Sequence, residues 1–230
     1  MAFFTVGHSN RSLEAFVALL RAADIALVAD IRKMPRSRAN PQFNEETLGA
    51  ALAEFQIGYE HMAALGGLRG RTRDGPQGLN DLWTNRSFRN YADYALTAPF
   101  QQGLQRLLAE GHARRAAIMC SEAVWWRCHR RIVADYLIAR GETVLHIMGE
   151  GRLEPARLTP GAVVQPDGRV LYPGAASAKS SMVGTSTAVA APVGAMTAAA
   201  ASPRQSGTAE RGRSLVVTPR AASCFRKVAS

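Results

Sequence analysis

Two cysteines, a histidine, a glutamate and several arginines lie close together in the run MCSEAVWWRCHR at residues 119–130. The thiolate is the reactive form of cysteine, and nearby cations and backbone N–H groups at the start of a helix stabilise it. Cys120 is therefore the candidate nucleophile, while Glu122 and His129 are candidate proton shuttles. Cys128 adjoins His129 and is expected to reach the same cleft.

A purely structural role fits the same two cysteines. Free cysteine is among the most buried residue types, and in the predicted helix Cys128 shares a face with Ile132. Trp125 and Trp126 are interpreted as wall or core residues. The sequence leaves both readings open, although so many reactive side chains at one strand-to-helix junction favour a site.

A second candidate segment is GHSN at residues 7–10, just past the first predicted strand. His8, Ser9 and Asn10 offer small polar side chains and backbone donors that suit an anion or a substrate hydroxyl. A turn that caps the following helix explains the same residues equally well.

The third candidate segment, DIRKMPRSR at residues 30–38, follows a second buried strand. Asp30 is expected to pair with Arg32, leaving Arg36 and Arg38 to contact phosphate or carboxylate groups. A solvated basic loop is the simpler alternative.

Apolar runs alternate with helical patterns along the first 175 residues. The runs are predicted as strands at 3–6, 26–31, 58–61, 116–119 and 143–147. Helices are predicted at 12–23, 44–55, 87–110 with an interruption near Pro99, and 127–140. This alternation predicts an α/β fold with a mostly parallel sheet and helices on both faces, a three-layer arrangement like Rossmann or rhodanese domains. Asp167-Gly168 between β-forming residues predicts a C-terminal hairpin.

Parallel strands bring their carboxyl ends to one edge of the sheet, where open α/β proteins bind ligands. All three candidate segments should meet at that edge, with Arg32 and Arg130 as anion clamps. The sequence thus predicts a thiol-dependent transferase or hydrolase that acts on a small anionic or nucleotide-like substrate.

The composition limits the domain organisation and the partners. The chain has 230 residues, of which 47% are hydrophobic, enough for one α/β domain at 1–175. Residues 176–230 are rich in Ala, Ser, Thr and Pro and are predicted to be a disordered basic tail. The net charge of +10 is uneven, because residues 1–175 hold 21 basic and 17 acidic side chains and the tail holds 7 and 1. The domain's small excess suits a small anion.

Other features define the expected setting of the protein. MAFFTVGHSN lacks the basic and apolar regions of a secretory signal, so a cytoplasmic protein with three reduced cysteines is expected. Residues 180–203 lack charges, but without Leu, Ile or Phe they predict no membrane segment. The glycine-rich motifs for dinucleotides and phosphates do not occur, so no cofactor is predicted. Oligomeric state is left open.

Two alternative functions remain. The first is a nucleic-acid-associated module that reads DNA or RNA through arginine-rich loops and the basic tail. Its candidate residues are Arg32, Lys33, Arg36, Arg38 and the cluster at 69–73. The second is a regulatory protein that binds a metal through Cys120, Cys128, His129 and His8, although the spacing C-x7-C-H matches no compact zinc pattern.

Five motifs occur in order between about Thr5 and Tyr172: TVGHSN, VADIRKMPRSRANPQFN, LGG, SFRNYADY and MCSEAVWWRCHRRIVADYL. In this combination the chain resembles the uncharacterised bacterial family known as domain of unknown function 488. The resemblance implies no particular reaction. The family pattern features both cysteines and the following His-Arg, which match Cys120, Cys128, His129 and Arg130.

The layout is also similar to rhodanese-type sulfurtransferases and related phosphatases, in which an arginine closes a loop of backbone amides around a cysteine. Asp30 and Arg32 after an early strand, and Cys120 before a loop and helix, carry this likeness. The loop departs from that pattern, because Arg127 follows Cys120 by seven residues and the loop contains Val-Trp-Trp and no glycine.

Overall fold

Strands and helices alternate in the computed structural model, which describes residues 2–71 and 78–174. The strands are β1 (Ala2–Gly7), β2 (Leu27–Asp30), β3 (Gly58–His61), β4 (Ala116–Cys120), β5 (Thr143–Gly149), β6 (Arg152–Pro155), β7 (Val163–Val164) and β8 (Val170–Leu171). The helices are α1 (Leu13–Ala22), α2 (Glu45–Glu54), α3 (Arg86–Ala95), α4 (Ala98–Ala113) and α5 (Arg130–Ile138). The predicted tail at 176–230 lies outside the described residues.

Six strands form one sheet in the order β3-β2-β4-β1-β5-β6. Neighbours from β3 to β5 are parallel, and only β6 pairs antiparallel, with β5. Every residue of β2 and β4 is buried, as expected for strands covered on both faces. The predicted α/β class with a mostly parallel sheet is confirmed.

The two faces of the sheet belong to two separate hydrophobic clusters. On one face α1 and α2 pack over β-strand residues such as Phe4 and Val28. On the other face α3, α4 and α5 pack over residues such as Phe3 and Ile118. The result is the predicted three-layer arrangement. Ser12 caps α1, accepting a hydrogen bond from the Ala15 amide at 3.2 Å.

The C-terminal hairpin is confirmed, with a longer connection than the two residues that Asp167-Gly168 predicts. Strands β7 and β8 pair antiparallel, and the Gln165 amide donates to the Arg169 carbonyl at 2.8 Å. Gly168 has a φ of +78°, which an L side chain rarely adopts.

Helix α5 begins three residues later than predicted. Residues Trp125–Arg127 form a short 3-10 turn, and Cys128 is extended with φ −121° and ψ 145°. Cys128 and His129 therefore precede the helix and do not lie within its first turn. This places both side chains on a connecting loop beside the end of β4.

Within residues 2–71 and 78–174, no helix combines the length and the apolar character that crossing a membrane requires.

Candidate active site

Backbone hydrogen bonds hold the three candidate segments side by side beyond the strand ends. The His8 and Ser9 amides donate to the Cys120 and Ser121 carbonyls, both at 3.0 Å. The Ile31 amide donates to the Met119 carbonyl at 3.0 Å. Because β2, β4 and β1 are neighbours and parallel, their carboxyl ends share one edge of the sheet.

A cavity of about 690 Å³ opens at this edge. Nine of the twelve residues proposed from the sequence line it: His8, Ser9, Asn10, Arg32, Arg36, Cys120, Glu122, Cys128 and His129. The remaining three, Asp30, Arg38 and Arg130, do not. The volume lies in the usual range for a small-molecule site.

Cys120 lies at the floor of the cavity, with a relative exposure of 6%. Its Sγ lies 3.9 Å from His129 Nδ1 and 4.0 Å from Ser121 Oγ. The neighbouring Cys128 thiol lowers the pKa of the Cys120 thiol well below its ordinary value, and His129 and the Glu122 backbone act in the same direction. Together they outweigh the opposing effect of burial.

Cys128 has the opposite electrostatic character. It is 3% exposed, and its Sγ accepts a hydrogen bond from the Arg130 amide at 3.5 Å. Burial, and then the neighbouring Cys120 sulfur, raise the pKa of the Cys128 thiol well above its ordinary value. The surroundings therefore favour the thiolate form at Cys120 and the protonated form at Cys128.

The orientation of His129 follows from a backbone carbonyl. His129 Nε2 lies 2.9 Å from the Ile31 oxygen, and a carbonyl only accepts hydrogen bonds. The partner thus assigns a proton to Nε2 and, in the neutral ring, leaves Nδ1 unprotonated. Nδ1 lies 3.9 Å from Cys120 Sγ and 3.7 Å from Cys128 Sγ. Tyr91 packs edge-on against the ring at 4.9 Å between centroids.

Asp30 and Arg32 form a buried ion pair beneath one side of the cavity. The Arg32 guanidinium donates to both Asp30 oxygens, at 2.5–3.0 Å, and to the Phe43 carbonyl at 2.7 Å. Its Nη1 lies 3.3 Å from His8 Nε2. Arg32 borders the cavity while Asp30 is fully buried, so the carboxylate fixes the guanidinium from behind.

His8 is held as a neutral ring. Nδ1 lies 2.7 Å from the Ser9 carbonyl, which assigns its proton to that nitrogen and leaves Nε2 to accept from Arg32. Burial lowers the pKa of His8, and the charge of Arg32 adds to this effect. The ring stacks on Phe43 with 4.1 Å between centroids. His8 therefore presents a fixed, uncharged wall.

Arg130 braces the loop after Cys120 and does not line the cavity. Its Nη1 donates to the Glu122 carbonyl at 2.5 Å, and its Nη2 donates to the Ala123 carbonyl at 2.9 Å. A Cβ at Gly7 would collide with the Glu122 carbonyl, so this close approach requires glycine. Because two loop carbonyls turn toward Arg130, the loop differs from an all-amide anion cradle.

Several cavity residues were not proposed from the sequence as part of the anion site, although Lys33 was a candidate for the nucleic-acid alternative. They are Lys33, Met34, Ser37, Asn40, Gly67, Leu68, Ser87, Phe88, Tyr91, Ser121 and Arg127. The motifs LGG and SFRNYADY contain Gly67, Ser87, Phe88 and Tyr91, so the family resemblance held the missing signal. Arg38 is exposed and lies outside the lining.

The arginine-rich loop at 69–73 is only partly described, since Arg73 lies outside the described residues. Arg69 donates to the Gly66 and Ala63 carbonyls, both at 2.8 Å, and lies 3.8 Å above the Tyr94 ring. These contacts hold the Arg69 guanidinium against backbone carbonyls and an aromatic ring of the same domain.

Three side chains have the right atoms for a soft metal ion. One ligand atom each from Cys120, Cys128 and His129 lies within 4.8 Å of the others. Thiolate and imidazole ligands suit zinc. His8 does not join them, because its Nε2 faces Arg32, so the four-residue ligand set considered from the sequence is reduced to three.

Comparison with known proteins shows the family of this chain. No curated protein and no solved structure matches it significantly. The family model described as domain of unknown function DUF488 matches residues 12–137. That match covers more than half of the chain, and the protein therefore belongs to the family of the domain of unknown function DUF488.

Proposed function

We propose that the protein is a thiol-dependent transferase or hydrolase with Cys120 as its nucleophile. One observation carries the proposal: a cysteine with a lowered pKa lies at the floor of a cavity, beside a histidine whose unprotonated nitrogen faces it. Lowered thiol pKa values accompany reactive cysteines, whereas inert structural cysteines lie in apolar surroundings.

The proposed reaction divides the chemistry between two side chains. His129 Nδ1 takes the Cys120 proton, and the thiolate attacks an electrophilic atom of the substrate. The bond to the leaving group breaks, and Nδ1 returns the proton to that group. Water or a second substrate then attacks the part of the substrate that remains bound to the Cys120 sulfur and releases it. The Ile31 carbonyl stabilises the imidazolium through Nε2.

The lining of the cavity supports an anionic substrate. Arg32, Lys33, Arg36 and Arg127 border it. Two exposed apolar side chains, Met34 at 69% and Leu68 at 75%, lie on the same lining, as does the ring of Phe88. Basic and apolar groups together favour an organic anion, such as a nucleotide-like molecule, over a bare inorganic ion.

Alkylation kinetics test the nucleophile directly. The third cysteine of the chain, Cys224, is replaced so that it does not compete for the reagent. Full-length Cys224→Ser protein is treated with iodoacetamide across a pH series, and modification of Cys120 is followed by mass spectrometry. At neutral pH we expect Cys120 to react about tenfold faster than free cysteine, since more of it is thiolate. The rate should fall only as the pH drops through the lowered pKa. A rate no higher than that of free cysteine would reject the proposal.

A second reagent tests the preference for anions. Iodoacetate carries a carboxylate and iodoacetamide does not, so the ratio of their rates reports the electrostatic field at Cys120. We expect this ratio to exceed that of free cysteine, and Arg36→Gln or Arg127→Gln to reduce it. An unchanged ratio would contradict an anion site.

Metal content separates this proposal from the metal-binding alternative. Elemental analysis is carried out on protein purified without chelator, followed by alkylation before and after chelation. Stoichiometric metal that protects both thiols until chelation would favour the metal-binding alternative over the enzyme.

A further inference from the structure

We propose that Cys120 and Cys128 are a redox pair that reduces hydroperoxides in the cavity and closes into a reversible disulfide. The inference rests on the proposed reactivity of Cys120 and extends it to a second activity and a means of regulation. The ligand class is a small hydroperoxide, with hydrogen peroxide as its simplest member.

Proximity is the first argument. The two sulfur atoms lie within 4.8 Å of each other, and both lie within 4.0 Å of His129 Nδ1. A disulfide needs a separation of about 2 Å, so a short movement must bring them together. The backbone of Cys128 is held between the 3-10 turn and α5, because its amide donates to the Trp125 carbonyl at 3.1 Å and its carbonyl accepts from the Arg131 amide at 3.0 Å. The movement therefore falls to the two cysteine side chains, which rotate about their Cα–Cβ bonds.

The second argument is the unequal surroundings of the two sulfur atoms. Cys120 is the last residue of β4, and its Sγ lies 3.9 Å from His129 Nδ1 and 4.0 Å from Ser121 Oγ. Cys128 Sγ accepts a hydrogen bond from the Arg130 amide at 3.5 Å and lies 3.7 Å from the same His129 nitrogen. One imidazole can therefore exchange a proton with either sulfur, as a reaction in two successive thiol steps requires.

Access is the third argument. Both cysteines and His129 line the cavity, although each cysteine is more than nine-tenths buried as a residue. A small hydroperoxide can enter a volume of about 690 Å³, while a bulky protein thiol cannot reach the floor as easily. The enclosure favours a bond within the chain over one between chains.

The reaction balances in two steps. His129 Nδ1 takes the Cys120 proton, and the thiolate attacks one peroxide oxygen. The O–O bond breaks, and the departing oxygen takes that proton back from Nδ1 to leave as an alcohol or water. Cys120 becomes a sulfenic acid. The Cys128 sulfur then attacks it, hydroxide leaves and takes the Cys128 proton as water, and the disulfide forms. A small-molecule dithiol restores both thiols and is itself oxidised to a disulfide.

The disulfide would stop the proposed nucleophilic reaction, because Cys120 is then no longer a thiolate. It would also protect Cys120 from irreversible oxidation to the sulfinic acid. The same pair would therefore act as a reversible off switch while hydroperoxide is present.

The test uses full-length Cys224→Ser protein with hydrogen peroxide, and dithiothreitol as the reductant. We expect both thiols to disappear together, peptide mapping to show a Cys120–Cys128 link, and dithiothreitol to restore both thiols and fast alkylation. In the Cys128→Ser variant we expect a Cys120 sulfenic acid that dimedone traps. In Cys120→Ser, Cys128 should stay reduced. Cys128→Ala is the second variant if Cys128→Ser fails to fold.

Each other outcome rejects the inference in a distinguishable way. Fast alkylation of Cys120 without a Cys120–Cys128 link would overturn the redox pair and leave the proposed function standing. Slow alkylation together with resistance to peroxide would overturn both. Oxidation of Cys128 in the Cys120→Ser variant would overturn the assignment of Cys120 as the first thiol to react.

Discussion

Two buried polar groups adjoin α5, and one of them lines the cavity of about 690 Å³. At the middle of the helix, Asp135 accepts hydrogen bonds from the Thr159 amide at 2.9 Å and the Tyr172 hydroxyl at 2.8 Å. Just before the helix, Cys128 and His129 adjoin Cys120 on the cavity floor. We call the first the Asp135 network and the second the thiol site.

The comparison shows that buried polar side chains can serve either the stability of the fold or the chemistry of a site. In the Asp135 network each carboxylate oxygen has a fixed donor, and the network ties the segment of Thr159 and Tyr172 to α5. In the thiol site, three groups that can exchange protons share contacts, and Nδ1 of His129 faces two sulfurs at once. A network in which each polar atom has its own fixed partner stabilises the fold. Groups that share one another's contacts, as in the thiol site, can instead change their protonation.

The largest expected effect is on the Asp135 network. Asp135→Ala leaves the Thr159 amide and the Tyr172 hydroxyl without their acceptor, and should lower the free energy of unfolding by about 3 kcal/mol. Urea denaturation measures this loss. Alkylation of Cys120 should stay unchanged under native conditions. Asp135→Asn, which keeps one acceptor oxygen, is the milder control. Slower alkylation in either variant would show that the two groups are coupled.

In the thiol site, His129→Gln should change the reactivity of Cys120. Loss of the imidazole removes a group that lowers the pKa of Cys120, so its alkylation at neutral pH should slow by about tenfold, or about 1.4 kcal/mol. The pH dependence should shift upward as well. His112→Gln is the matched control, because His112 is exposed and pairs with Glu142. Equal effects from both variants would contradict a specific role for His129.

Folding stability measured against pH sharpens the contrast at His146, because fixed contacts hold this ring. Its Nδ1 lies 2.7 Å from Thr5 Oγ1, Trp125 stacks on the ring, and burial followed by the charge of Arg130 lowers the pKa of His146 to about 4. Between pH 6.5 and pH 4 the unfolded chain binds a proton at His146 that the folded protein does not. Folding stability should therefore fall as the pH drops.

The expected loss is about 1.5 kcal/mol from pH 6.5 to pH 5. Urea midpoints measured across this range in the wild type and in His146→Gln isolate its share. If both proteins lose stability in parallel, His146 does not supply the acid sensitivity.

The smallest expected effect is at Glu122. Its backbone, and not its carboxylate, helps to lower the pKa of Cys120, and its carbonyl binds Arg130. Glu122→Gln should change the alkylation rate by less than about twofold, a result within the usual range for surface substitutions. Ala123→Ser on the same loop serves as the control. A tenfold slower rate would restore Glu122 to the role of proton shuttle that the sequence suggested.

Much of the fold was predictable because strand and helix periods are local. The buried runs at Leu27–Asp30 and Ala116–Cys120 and the amphipathic α1 all match, and parallel pairing then brings the three segments together. The start of α5 was missed by three residues, because its apolar spacing extends back through a 3-10 turn that pattern alone does not separate from a helix.

The site was less predictable, because side-chain partners are long-range. Arg130 was assigned to an anion from its position near Cys120, yet it binds loop carbonyls. Phe88 and Leu68 reach the cavity from segments that carry little chemistry of their own. The partner of His129 is the backbone carbonyl of Ile31, the residue just after β2, and no side-chain motif reveals such a contact.

The main-chain oxygen of Ile31 has a consequence for substitution tolerance. Since it belongs to the peptide group, replacing the Ile31 side chain with valine or leucine leaves it in place, while a shift of the peptide itself would move it. Substitution of the Ile31 side chain would thus leave the orientation of the His129 ring unchanged, provided that the path of the backbone is conserved. Related chains should be compared here by backbone geometry and not by residue identity.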